Sequence, residues 1–235
     1  MKRHFGKWLT AAALAVGCTV MTANAFADTD GHWAESAINK WSGEYGIIQG
    51  YDDGTFRPDK SITRGAFAGI LDRFLHFQNA SPADTFSDTA GTYWEDAILK
   101  LHASGIYLGN QGAALPSSTI TRQQAVAMIG RAFRIAPETA APDYTDTDQI
   151  AEYAMAYVGE FEVRGYLTDS AAGTFRPADP ITRAELINIL SNMVDTLVKE
   201  TTTVTEDVSG SLLISAADGE VVEADFAIDL VQKMA

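Results

Sequence analysis

The chain is 235 residues long, with 46% hydrophobic and 20% charged residues, a globular composition rather than a disordered one. It carries 31 Asp and Glu against 17 Lys and Arg, a formal net charge of −14. So negative a field repels phosphate backbones and anionic lipid, which argues against nucleic acid and membrane surfaces as partners and requires any anionic ligand to be held in a local pocket.

The first element is a basic start, Met1 to Trp8, followed by an apolar and small-residue run, Leu9 to Met21, and by Ala25-Phe26-Ala27, which fits the small-x-small cleavage rule. The pattern predicts a secretory signal peptide over residues 1–27. The alternative, a membrane anchor, needs ~20 apolar residues and meets Gly17 and Thr19 instead. Lipidation at Cys18 is the lesser reading, because Ala15-Val16-Gly17 is a poor lipobox. Cleavage removes three basic residues and no acid, leaving 14 against 31 and a net charge of −17. It also removes the single cysteine, and with it disulfides, thiol catalysis and cysteine metal sites. No later apolar run is long enough to span a membrane. The expectation is an exported protein held at the cell surface without membrane insertion.

Next come three copies of one pattern, expected over residues 28–80, 81–138 and 139–198. Ile62-Thr63-Arg64 returns as Ile120-Thr121-Arg122 and Ile181-Thr182-Arg183. Each threonine follows a proline (Pro58, Pro116, Pro177), and each proline follows a glycine (Gly54, Gly112, Gly173) at fixed offsets. Trp33, Ala37, Ile38, Trp41 and Tyr45 recur at helical spacing, with Gly46 as the stop. A turn-rich loop around Asp53-Gly54 follows. Thr63 then reads as the N-cap of a second helix with the apolar stripe Phe67, Ile70, Leu71, Phe74 and Leu75. Thr121 with Gln124, and Thr182 with Glu185, add capping boxes; Ala66 denies one to the first copy. Each unit is helix, loop, helix. None can bury both stripes alone, so the three should share a core.

An acid, then Trp-Ala-x-x-Ala-Ile, then Gly-Ile-Ile-x-Gly-Tyr-x-Asp-Gly-Thr-Phe-Arg-Pro, then Ile-Thr-Arg-Ala-Glu in composite, resembles the S-layer homology domain family over residues 28–198. The resemblance implies a mainly α fold of three repeats in a pseudo-threefold bundle with grooves between them. It also implies a non-catalytic role: anchoring an exported bacterial protein to the cell wall through an anionic secondary wall polysaccharide, often one bearing pyruvate ketals.

Bottom-up, the arginines are the leading candidates. Arg64, Arg122 and Arg183 each follow a threonine cap, where free backbone N–H groups and the helix dipole favour an anion and a guanidinium adds bidentate geometry. In the family this arginine reads the ketal carboxylate. Trp33, Tyr93, Trp94 and Tyr153 offer rings on which a sugar face stacks, or else core packing. Asp28, Asp88 and Asp146 accept hydroxyls or cap helices, the cap being preferred for Asp146. Gly50 and Gly109 would let the backbone approach a sugar; Asp169 stands at that position in the third copy, which makes Arg183 the weakest of the three arginines.

Other chemistry is disfavoured. Asp28-Thr29-Asp30-Gly31 and Asp146-Thr147-Asp148 do not continue to the glutamate of a calcium loop. His32, His76 and His102 lack metal-ligand spacing. No cofactor is expected. In the tail, 199–235, Thr201-Thr202-Thr203 reads as a linker, and Leu212–Ile214, Ala217-Asp218-Gly219 and Val221-Val222 as a small hairpin, with Phe226–Val231 as a further strand or short helix. The tail is a candidate site for a partner protein. The reading from sequence is therefore a secreted wall-anchoring protein, with a structural surface-layer subunit as the alternative.

Overall fold

The computed structural model describes residues 26–77, 83–136, 141–168 and 173–202, together with the strands at 213–215 and 221–223. The leader segment 1–25 with Cys18, the position of Asp169, the turn at Ala217-Asp218-Gly219 and the stretch Phe226–Val231 lie outside the described residues.

The described chain is mainly helical. Helix α1 (Glu35–Ile38) widens directly into a π-helical stretch, Asn39–Glu44; α2 is Arg64–Leu75, α3 Glu95–Ala103, α4 Arg122–Ala132, α5 Glu152–Val163 and α6 Arg183–Thr202. A 3₁₀ turn, Thr147–Gln149, precedes α5. In the tail, β1 (Leu213–Ser215) pairs antiparallel with β2 (Val221–Glu223), Ile214 facing Val222. No described helix is long and apolar enough to cross a membrane.

The second helix of each unit starts at its threonine. Thr63, Thr121 and Thr182 accept from the N–H groups of Ala66, Gln124 and Glu185, and the Gln124 and Glu185 side chains return to the threonine N–H. The isoleucines just before these caps close a ring. Ile62 N–H donates to Ile181 O, Ile181 to Ile120 O and Ile120 to Ile62 O, at 3.0–3.2 Å. Three strand-like backbones thus pair cyclically about a pseudo-threefold axis, and all three side chains are buried.

Around this axis the first helix of each unit packs on the second helix of the unit before it: α3 on α2, α5 on α4, and α1 on α6. One contiguous core results, because each unit's apolar stripe is covered by its neighbour. Trp41 and Phe74 meet at 5.0 Å, and Phe74 meets Phe133 of the second unit at 5.8 Å. Lys40 of the first unit bonds Asp195 of the third at 2.7 Å, sealing the closure from outside.

Two expectations change. Trp33 precedes α1 and is 55% exposed; Ala34, Ile38 and Trp41 form the buried stripe instead. The helix α6 runs on to Thr202, so Thr201 and Thr202 belong to a helix rather than to a linker.

Candidate functional site

The ring makes three junctions, each joining one unit's arginine to another unit's loop. Junction I sets Arg183 against the first loop, junction II sets Arg64 against the second, and junction III sets Arg122 against the third. Arg183 Nε donates to Phe56 O, Arg64 Nε to Ala114 O and Arg122 Nε to Phe175 O, at 2.8–2.9 Å. Every guanidinium also lies over a ring of the loop's unit: Arg183 over Phe56 (4.4 Å), Arg64 over Tyr107 (4.7 Å) and Arg122 over Phe175 (5.3 Å).

The helix N-termini are not open anion sites. The first two N–H groups of α2 donate to Ser118 O and Pro116 O, those of α4 to Asp179 O and Pro177 O, and those of α6 to Lys60 O and Pro58 O. The third is taken by the threonine cap in each case. The neighbouring loop therefore satisfies the donors that sequence reasoning left free for a ligand. What a ligand can still meet at a junction is the guanidinium.

The aspartates prove to be clamps. Asp28 accepts from Phe56 N–H and Arg57 N–H, Asp88 from Ala114 N–H and Leu115 N–H, and Asp146 from Phe175 N–H and Arg176 N–H, all at 2.7–2.8 Å. The second residue of each pair is a non-glycine in the left-handed region (φ +57°, +57° and +58°), a conformation that costs energy and that the carboxylate holds in place. Burial pushes the Asp28 and Asp146 carboxyls upward, but the two backbone donors outweigh it and hold both below the usual range. Asp146 stands at the head of the 3₁₀ turn yet makes no capping bond, because its carboxylate is committed to the loop.

Gly50 and Gly109 are also explained from within the fold. A Cβ on Gly50 would strike the Phe26 ring, and one on Gly109 would strike the Phe86 ring and Ala113 O. Phe26 and Phe86 are equivalent residues, each two before its clamping aspartate, so the space above these glycines is filled by the unit's own aromatic. Trp94 similarly lies over Gly65 and Gly69 of α2 and is partly buried. Tyr93 meets Trp94 edge-on at 4.5 Å and is 84% exposed, while Tyr153, in the first turn of α5, is 50% exposed. Trp33, Tyr93 and Tyr153 are thus the rings available at the surface.

The junctions differ in charge. At junction III, Arg122 is completely buried and pairs with Glu185 at 3.1 Å, and Arg176 bonds the same carboxylate oxygen. Burial works against the Glu185 charge, yet Arg122 together with the Thr182 N–H and Arg176 keeps its carboxyl below the ordinary value. At junctions I and II, Arg183 and Arg64 are nearly buried and form no ion pair among the described residues. Arg183 adds a bond from Nη2 to Gln49 O at 2.6 Å; burial pulls its pKa down, and Arg57 and Arg73 add to that. Arg122 is thus the one of the three arginines that forms an ion pair among the described residues. Glu185, Tyr51, Tyr107 and Lys60 are residues that sequence reasoning did not assign to the junctions. Glu185 was visible only as a helix cap, and that role concealed its second one.

The class is a closed ring of three interlocked helix–loop–helix units with one arginine sealed into each seam. The profile of the S-layer homology domain matches residues 25–68 and 143–187. The middle unit lies outside those matches and is a copy by its geometry, sharing the clamp, the cap and the arginine bond. Over 124 residues, half of its length, the chain is 36% identical to a cellulosome-anchoring protein of Acetivibrio thermocellus. It is 25% identical over 154 residues (64% of the chain) to the surface-layer 125 kDa protein of Lysinibacillus sphaericus, and 26% identical over 176 residues (72%) to an amylopullulanase of Thermoanaerobacterium thermosulfurigenes. These matches span 28%, 13% and 9% of the three relatives' own lengths.

Proposed function

We propose that the exported chain is a non-catalytic anchor that attaches to the bacterial cell wall by holding an anionic secondary wall polysaccharide at junctions I and II. The observation that carries this reading is a pair of nearly buried guanidiniums, Arg64 and Arg183, with carbonyl and ring partners and no ion pair among the described residues. A buried charge without a countercharge is costly, and a carboxylate from a ligand supplies the missing partner with bidentate geometry. A pyruvate ketal on a sugar is such a carboxylate. Exposed Trp33 and Tyr93 provide rings for the sugar face. The names of the relatives, a cellulosome anchor and a surface-layer protein, agree with attachment at the cell surface.

The test is titration calorimetry of wall polysaccharide, native and with its ketals removed by mild acid, against the exported chain and its Arg64→Ala and Arg183→Ala variants. Each variant is expected to bind about ten- to hundred-fold more weakly, the loss expected for one charge-assisted contact, and ketal removal to weaken binding of the parent protein. Binding that ignores both arginines and the ketals would overturn the reading.

A further inference from the structure

The three loops share their clamp but differ at three positions on the rim. Counted from the arginine that ends each Ile-Thr-Arg string, the first loop presents Arg57 and Lys60 where the second has Leu115 and Ser118 and the third has Arg176 and Asp179; counted from Gly50 and Gly109, Tyr51 of the first loop stands where the second has Asn110. At junction I three cations from two units gather on one ring: Arg57 at 4.0 Å, Lys60 at 4.8 Å and Arg183 at 5.1 Å from the Tyr51 centroid. The acids nearby are engaged otherwise. Asp53 is bonded to Arg57 and Thr55, Asp28 to the loop backbone and Asp59 to His32. Asp53 balances one of the three cations, while Lys60 and Arg183 form no ion pair among the described residues. At junction III the corresponding cation, Arg176, is drawn onto Glu185 and stands 4.0 Å from Asp179. At junction II the position holds Leu115, partly exposed.

A chain of net charge −14 that concentrates three cations on one aromatic ring incurs like-charge repulsion there, which an anionic ligand relieves. We propose that junction I is a two-anion site: Arg183 takes one anionic group of a glycan, and Lys60 with Arg57, at the rim of Tyr51, takes a second one on the same or the adjoining sugar. Junction II takes one anion beside an apolar rim, and junction III, internally neutralised, takes none. This rests on the reading of Arg183 as a ligand contact and adds to it the chemical class of the preferred ligand, a sugar bearing two negative groups.

Two small probes separate the ideas: glucuronate, with one carboxylate, and glucuronic acid 1-phosphate, with a carboxylate and a phosphate on one ring. Affinities are measured by NMR shift titration of the exported chain at low salt. The doubly anionic sugar is expected to bind about tenfold more tightly than glucuronate. Lys60→Gln, an exposed substitution that spares the fold, should abolish most of that preference by weakening the doubly anionic sugar far more than glucuronate, and Ser118→Gln at junction II should leave the preference intact. Equal affinities for the two probes, or a preference indifferent to Lys60, would overturn the two-anion site alone. Failure of glucuronate to bind, or binding indifferent to Arg183→Ala, would instead overturn the arginine reading on which it rests.

Discussion

Replacing Arg122 with alanine should damage the fold and leave glycan binding nearly intact. The side chain is wholly buried, its Nε holds Phe175 O, and its Nη1 pairs with Glu185 at 3.1 Å. Removing one partner of a buried pair costs about 3–5 kcal/mol, chiefly because the other charge is left behind. Here Arg176 remains on the Glu185 oxygen, which places the loss near the lower end, about 3 kcal/mol. For a domain of this size each kcal/mol moves the melting temperature by about 2–4 °C, so the midpoint should fall by about 6–12 °C. The assay is a thermal melt followed by circular dichroism, with polysaccharide titration well below the midpoint. The double variant Arg122→Met with Glu185→Gln should recover part of the loss, since neither charge is then buried alone. A melt shifted by under about 2 °C, or affinity lost with the melt unchanged, would falsify the assignment of this arginine to the scaffold.

Two further outcomes follow from the clamps and their aromatics. Gly109→Ala should destabilise more than Gly50→Ala, by about 2–3 against about 1 kcal/mol: at Gly109 the new methyl meets backbone and needs φ +70°, whereas at Gly50 it meets only the Phe26 ring; a variant of either that loses glycan affinity at unchanged stability would restore these glycines to the ligand surface. The exported chain should begin at Phe26, cut after Ala23-Asn24-Ala25, because a cut after Ala27 would remove the ring packed on Gly50 and against Phe56 and the carbonyl that receives Thr29; intact mass decides it, a start at Asp28 being lighter by one Phe and one Ala residue and contradicting the packing argument.

The parts legible in the sequence were those with local causes. Threonine caps, glycine stops and apolar periodicity act within a few residues, so the helix–loop–helix unit and its threefold repetition could be read directly. The partners of Asp28, Asp88 and Asp146 lie more than twenty-five residues downstream on the loop backbone, and a backbone N–H has no letter in the sequence. The engagement of the α2, α4 and α6 donors is hidden for a related reason: their acceptors are carbonyls of another unit, brought in only when the ring closes. Charge pairing was illegible for a third reason. Arg122 and Glu185 are sixty-three positions apart, and nothing in either local motif distinguishes a glutamate that only caps from one that also neutralises a neighbour.

Ring closure also changes what a threefold motif means. Each arginine supplies the Nε bond that ties its helix to the next loop, and the three isoleucine bonds form a cycle in which the loss of one link opens the whole. A unit whose junction binds nothing must therefore keep its arginine to keep the ring. Three arginines at equivalent positions are evidence of three seams, and by themselves they say nothing of how many seams bind. The residues free of that constraint are those on the rim, where the seams do differ: Arg57 over Tyr51, Leu115 half in solvent, Arg176 turned onto Glu185. Architecture dictates what is repeated; ligand chemistry is written in what is not. A protein built this way can vary the affinity of one junction through substitutions at exposed rim positions, which cost little stability, while the buried arginines beneath continue to hold the fold.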